Sequence, residues 1–265
     1  MRVPEDSHDG DLLVASVREA GAIARKYFRG DYKMWRKPDG NPVTEADIEI
    51  DQFLKSMLLA ARPDYGWLSE ETADDPARLS RSRIFIVDPI DGTYGFLKHR
   101  PQFTIVAAVV ENERPIAAAI YNPITDEMFE ATRGAGSRLN GSPICVTTTE
   151  TLEGSRLLAN RTLIEKSPTP WPPLSVDTRS SIAYRMALVA KGEFDAMISL
   201  SQKSEWDVAA GDLIVQEAGG RVTAQDGSLL FYNKREPVHH GVICAGPGLH
   251  GDLMLRLREL PADAG

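Results

Sequence analysis

The segment Ile84-Phe-Ile-Val-Asp88-Pro-Ile-Asp91-Gly-Thr93 sets an unbroken apolar run directly against two aspartates. Ile84 to Val87 reads as a buried strand. Asp88 falls at its end, where a charge is costly unless it is paired or metal-bound. Pro89 fixes the backbone and removes a donor. Asp91 follows three residues after Asp88, so one turn can aim both carboxylates at a single point. Gly92 and Thr93 then offer backbone N–H groups of the kind that suit a phosphate oxygen where a helix begins. A strand, an acid, a turn, a second acid and exposed N–H groups describe a site for a hard cation and a phosphate. Mg²⁺ prefers oxygen ligands and shares its shell with substrate phosphates. No His/Cys cluster competes for a softer metal. A plainer reading stands beside this one. Asp88-Pro89 can simply end a strand, and Asp91-Gly92 can simply form a turn.

Outward from this segment the chain alternates helices and strands. Leu13, Val17, Ala20, Ala24 and Phe28 recur at helical spacing, which predicts a helix over Asp11–Phe28. A second is expected over Thr44–Ala61, ended by Arg62-Pro63. Phe103–Val110 and Ile116–Tyr121 read as two strands joined by a polar turn, with Met128–Thr132 as a further strand. Glycine and proline crowd Gly134–Pro143, which we take as a boundary between halves 1–140 and 141–265. The second half predicts helices over Ser180–Ala190, Trp206–Ala218 and Leu249–Leu260, and strands over Phe194–Leu200 and Val242–Ala245. Pro168–Pro173 reads as an exposed loop. The intermingling implies a layered α/β class.

The chain has 265 residues, enough for about two domains at roughly 150 residues each. Its 42% hydrophobic and 26% charged content is that of a globular protein, which excludes disordered, collagen-like and disulfide-scaffold classes. The formal net charge of −8 argues against polymeric nucleic acid and anionic membranes as partners. Cys145 and Cys244 lie in no metal or redox spacing and are expected to be reduced packing residues. The polar stretch Met1–Gly10 is unlike a signal peptide, and no apolar run is long enough to span a membrane. The expected location is the cytoplasm. The five histidines are expected mostly at the surface.

Two further stretches hold acids. Leu68-Ser-Glu70-Glu71-Thr72 follows a strand-like Trp67, and Glu205-Trp-Asp207-Val-Ala-Ala-Gly211 opens a helix. Taken singly, Glu70 and Glu71 can be a solvated pair, and Asp207 an N-cap or first-turn acid. Thr44 with Asp47 is a near match to a capping box.

Taken together, these residues resemble the inositol monophosphatase superfamily. Asp88-Pro-Ile-Asp-Gly-Thr93 and Trp206-Asp-Val-Ala-Ala-Gly211, continued by Leu213–Gly220, look like its two signature motifs. Glu70-Glu71 and Pro42-Val-Thr-Glu-Ala-Asp47 match in the expected order. The resemblance runs from about Ala15 to about Leu257. It implies a five-layer αβαβα sandwich and Mg²⁺-dependent hydrolysis of a small phosphate monoester, with two or three ions. By position, Glu70, Asp88 and the Ile90 carbonyl would hold one ion. Asp88, Asp91 and Asp207 would hold a second, and Glu70 would reach a weaker third. Asp47 and Thr93 would orient the attacking water, and Gly92 and Thr93 would bind the phosphate through backbone N–H. The resemblance also carries lithium sensitivity and a homodimer, although no stretch of the sequence identifies an interface.

Within the superfamily, Leu68-Ser-Glu-Glu71 and Lys37-Pro-Asp-Gly-Asn-Pro-Val-Thr44 look like the 3′(2′),5′-bisphosphate nucleotidase branch. The acid that inositol phosphatases use for a sugar hydroxyl falls on Leu200. The expected reaction is hydrolysis of 3′-phosphoadenosine 5′-phosphate to AMP and phosphate. Inositol-1-monophosphatase and histidinol-phosphatase are the alternatives. A non-catalytic regulatory scaffold should have lost a ligand, yet Glu70, Asp88, Asp91 and Asp207 are all present. Gly95 departs from the family's usual Asn. Lys98, Arg100 and Lys203 are either contacts for a second phosphate or solvated surface charges.

Overall fold

The computed structural model describes residues 5–38, 40–165 and 167–258. Met1–Pro4, Asp39 of the Lys37 turn, and Glu259 and Leu260 of the expected last helix lie outside the described residues. Helices α1 (Glu5–Tyr27) and α2 (Glu45–Ala61) flank a hairpin of β1 (Met34–Arg36) and β2 (Pro42–Thr44). A large sheet contains β3 (Gly66–Ser69), β4 (Arg83–Asp91), β5 (Thr104–Glu111), β6 (Arg114–Asn122), β7 (Glu127–Thr132), β8 (Ser137–Leu139) and β9 (Ser142–Ile144), in that spatial order. The short helix α3 (Thr93–Leu97) lies between β4 and β5. A smaller sheet contains β10 (Arg156–Leu158), β11 (Ser175–Asp177), β12 (Ala196–Ser204), β13 (Arg221–Thr223) and β14 (Val238–Ala245), in the order β11-β10-β12-β14-β13. The remaining helices are α4 (Arg161–Glu165), α5 (Ile182–Ala190), α6 (Glu205–Glu217) and α7 (Pro247–Leu257).

Alternation along the strands decides the layers, because successive side chains face opposite ways. In β4, Phe85 and Val87 join Leu13, Val17, Ile50 and Leu54 in a core between the large sheet and α1/α2. Ile84 and Ile86 face the other way, into a core shared with α5, α6 and the inner face of the small sheet. Leu157, Ala196, Ile198 and Ile243 turn outward onto Leu249 and Leu253 of α7. The result is a five-layer αβαβα sandwich. Both faces of the large sheet are covered, so β4, β5 and β6 read as continuous apolar runs rather than alternating ones.

Several elements differ from the sequence reading. β4 extends past Val87 to Asp91, with a register shift between Asp88 and Asp91. Pro89 cannot donate to the ladder, so the strand bulges where the acids sit. The Gly-rich stretch after Thr132 supplies the last two strands of the large sheet, β8 and the edge strand β9. β1, β2, β8, β9, β10, β11 and β13 have three residues each, too short for a periodic signal. Of the five histidines, His8, His99 and His240 are exposed, as expected of most of them, while His239 and His250 are buried in packed layers. Cys244 is buried, but Cys145 is exposed just after the edge strand β9. Gly95 is buried, and a Cβ there would come within 3.0 Å of the Gln102 carbonyl oxygen. A side chain there would need Gln102 and Ser180 to give by a few tenths of an ångström. No helix among the described residues is long and apolar enough to cross a membrane.

Candidate active site

The end of β4 meets the N-termini of α5 and α6. Asp88 continues the face of Ile84 and Ile86, which turns its carboxylate toward the middle helical layer. It is 1% exposed, and its Oδ1 accepts the Ile90 N–H at 3.0 Å. Asp91 reaches across to the start of α5. Its carboxylate accepts from Ser181 Oγ at 2.6 Å, Ile182 N at 3.2 Å and Ala183 N at 2.6 Å. Those N–H groups have no partner within the helix, so an acid there satisfies them. Asp207 is the third residue of α6, and its Oδ2 accepts the Ser204 N–H at 3.0 Å in a capping box. Carboxylate oxygens of Asp88, Asp91 and Asp207 all lie within 4.8 Å of one another.

Asp47 and Glu70 complete the acidic field. Asp47 is buried, and its Oδ2 accepts the Thr44 N–H at 2.8 Å in the capping box of α2. For both Asp47 and Asp207, the helix-cap reading and the place at the site therefore hold together. Glu70 lies outside the tight trio. Lys37 Nζ sits 2.7 Å from Glu70 Oε1 and 2.7 Å from Glu71 Oε1. Burial works against the Lys37 ammonium, but the two glutamates override it and raise its pKa.

Burial is the first cause of the carboxylate shifts, and mutual repulsion adds to it. Asp88 is raised well above the ordinary carboxylate range by burial, then by Glu70, Asp91 and Asp207. Asp91 is pushed to about 6 by burial, held back by the Ser181, Ala183 and Ile182 hydrogen bonds. Asp207 rises to about 8 through burial, Asp91 and Glu70. Asp47 rises to about 6 by burial, against its Thr44 hydrogen bonds and with Glu70 adding. Three enclosed carboxylates this close repel one another. Protons relieve the repulsion in part, and a hard divalent cation relieves it more fully. The donor set is all oxygen and fits Mg²⁺.

The other expected site residues are less uniform. The Ile90 carbonyl accepts from Thr93 Oγ1 at 3.2 Å. Thr93 and Asp47 are not hydrogen-bonded to each other among the described residues. Gly92 adopts φ 94° at the start of α3, a conformation open to glycine. Lys98 and Arg100 are exposed beyond α3. Lys203 is different: burial lowers its pKa, and the charges of Asp207, Arg185 and Asp91 act on it. Ser69 is buried and donates to Asp51, so it ties β3 to α2 and does not face the acids. Leu200 packs against the outer core beside α7.

Four residues of this neighbourhood were not assigned from the sequence. Ser181 holds Asp91, Lys37 holds Glu70, and Arg185 lies within the field of Asp91. Glu205, 0% exposed, accepts the N–H groups of Asn233 at 2.7 Å and Lys234 at 3.1 Å. A serine one position before the apolar run Ile182–Ala190 is a legible N-cap signal for Ser181. The Lys37, Arg185 and Glu205 contacts join distant parts of the chain and leave no local signature.

An oxygen-donor trio where a strand end meets two helix N-termini, inside an αβαβα sandwich, defines a class: metal-dependent phosphatases of small phosphate esters. The inositol monophosphatase family model matches residues 8–260, and the chain belongs to that family. A bisphosphate nucleotidase, CysQ, from Aggregatibacter actinomycetemcomitans is 28% identical over 84% of this chain and 87% of its own. An inositol-1-monophosphatase from Mesorhizobium japonicum is 31% identical over 96% of this chain and 97% of its own. The solved structure of the Thermotoga maritima IMPase superposes with a TM-score of 0.83 at 26% identity, covering 96% of this chain and 98% of that one.

Proposed function

We propose that this chain is an Mg²⁺-dependent 3′(2′),5′-bisphosphate nucleotidase, which removes the ribose 3′-phosphate of 3′-phosphoadenosine 5′-phosphate. The observation that carries the substrate choice is the cation pair beside the acids. Arg185 and Lys203 each lie within the field of Asp91 and of one another. Their hydrogen bonds go to neutral groups: Arg185 Nε to the Arg179 carbonyl at 2.6 Å, Lys203 Nζ to Ser201 Oγ at 2.8 Å and the Gln202 carbonyl at 3.0 Å. Two partly buried cations without a carboxylate partner among the described residues suit a second phosphate. The CysQ relative supports the same reading.

In this reading Glu70, Asp88 and the Ile90 carbonyl hold one ion, and Asp88, Asp91 and Asp207 hold another. Glu70 also reaches a weaker third. Bound ions supply charge neutralisation at the phosphoryl oxygens and a lowered pKa for a coordinated water. The chain's own residues do the positioning. Gly92 and Thr93 present backbone N–H groups to the phosphate. The Thr93 hydroxyl and the Asp47 carboxylate orient the water. Lys37 holds Glu70 and Glu71 in place. The two free cysteines fit a reducing, cytoplasmic setting.

Phosphate release from 3′-phosphoadenosine 5′-phosphate, inositol 1-phosphate, histidinol phosphate and p-nitrophenyl phosphate, each with Mg²⁺, tests the proposal. The bisphosphate should be preferred in kcat/KM. Arg185→Met and Lys203→Met should each raise its KM by about 10- to 100-fold, the worth of one charge-assisted contact. Both should leave p-nitrophenyl phosphate turnover nearly unchanged. A preference for inositol 1-phosphate, or equal effects of the two substitutions on both substrates, would overturn the substrate assignment.

A further inference from the structure

A second cleft, of about 600 Å³, opens where the segment after β13 passes the start of β14 and the end of α7. It shares no residue with the acidic site. Leu229 and Phe231 on its wall are 56% and 46% exposed, large apolar side chains left open to solvent. Among its described lining residues the one acid beside Lys234 and Arg258 is Asp226, and Glu205 acts on Lys234 from behind the cleft. The Asp226 carboxylate is already committed, accepting from Ser228 N at 2.9 Å and Ser228 Oγ at 2.6 Å.

His239 backs the Lys234 ammonium. It lines the cleft, is 6% exposed, and its Nδ1 lies 3.3 Å from Lys234 Nζ. An ammonium can only donate, so Nδ1 must be the acceptor and the ring proton sits on Nε2. Burial and the Lys234 charge hold this imidazole neutral, with its pKa lowered to about 4. Nε2 is buried and has no hydrogen-bond partner among the described residues. A buried N–H without an acceptor costs about 1–3 kcal/mol. The polar end of this cleft therefore presents an ammonium, which also donates to the Val238 carbonyl, and an exposed guanidinium beside an open apolar wall, with the His239 Nε2–H buried behind them.

We propose that this cleft binds a small anion with an aromatic or aliphatic body, its acid group at Lys234 and Arg258 and its apolar part on Leu229 and Phe231. Carboxylates, sulfonates and phosphates share the required chemistry. The cleft is also tied to the catalytic layer, because the Lys234 N–H is held by Glu205, two residues before Asp207.

Titration of the full chain with 1-anilinonaphthalene-8-sulfonate, read by fluorescence and by the His239 imidazole ¹⁵N shifts, tests this directly. One equivalent should bind. Lys234→Met and the exposed-site variant Arg258→Ala should each weaken binding at least 10-fold, as should replacing the probe by the neutral N-phenyl-1-naphthylamine. Asp91→Asn should leave binding unchanged. Equal affinity for the neutral probe, or unaltered binding by folded Arg258→Ala protein, would overturn the proposal.

Discussion

Replacing Ser181 by alanine removes one oxygen that closes three hydrogen bonds. Ser181 Oγ donates to Asp91 Oδ2 at 2.6 Å. It must therefore accept from Thr104 Oγ1 at 2.9 Å and from the Tyr184 N–H at 2.8 Å, which uses its full capacity of one donor and two lone pairs. The Tyr184 bond is the N-cap of α5, worth about 1 kcal/mol. The bond to Asp91 is charge-assisted and worth about 1.5–3 kcal/mol. Thr104, 0% exposed, also loses its acceptor. The expected loss is about 3 kcal/mol, or about 6 °C in Tm at about 2 °C per kcal/mol for a chain of this size. Urea unfolding in the presence of EDTA measures it without interference from bound ions. Ser181→Thr, which keeps the hydroxyl, should recover most of the loss. If the alanine variant unfolds within about 0.5 kcal/mol of the parent chain, the anchoring role of Ser181 is wrong.

Two further outcomes follow from the same geometry. In Gly92→Ala, a Cβ at φ 94° would sit 2.8 Å from the Gln102 carbonyl oxygen and 2.9 Å from Ser181 N, both backbone atoms. Left-handed strain of about 1–2 kcal/mol adds to the clash, so phosphate release should fall at least 100-fold; activity within threefold of the parent would count against the tight turn. His250 is buried beside Thr223, and its pKa is lowered from 6.5 to about 4, by burial first and then by Arg221. Its folded pKa lies below its unfolded one, so the neutral ring stabilises the fold above about pH 6.5, and that contribution is lost as pH falls toward 4. His250→Asn should flatten the acid-side loss by about 2 kcal/mol in urea titrations between pH 7 and pH 4, and an unchanged slope would remove His250 from the account.

The layered class was legible because β4, β5 and β6 are continuous apolar runs and α1, α2, α5 and α6 carry apolar stripes. The three-residue strands were not, since pairing partners rather than local pattern create them. The acids of the site were legible for a related reason. Asp88 and Asp91 follow a buried strand, and Asp47 and Asp207 occupy the third position of helices opened by Thr44 and Ser204, so local rules for strand ends and capping boxes already point to them. What escaped was the long-range chemistry. Ser181 meets Asp91 across 90 residues, Lys37 meets Glu70 across 33, and Arg185 and Lys203 converge only once α5 and β12 pack. Ser69 shows the converse: it belongs to the Ser-Glu-Glu run that resembles the nucleotidase branch, but its hydroxyl is consumed by Asp51 inside the fold.

The claim on which the account rests is that Asp88, Asp91 and Asp207 together hold the catalytic ions. Calorimetric titration of Mg²⁺ into the parent chain and into Asp91→Asn at pH 8 tests it most directly. The parent chain should bind Mg²⁺, while the variant, with unchanged far-UV circular dichroism, should bind it at least 100-fold more weakly and release no phosphate. A folded Asp91→Asn protein that binds Mg²⁺ with the parent's affinity would contradict the account.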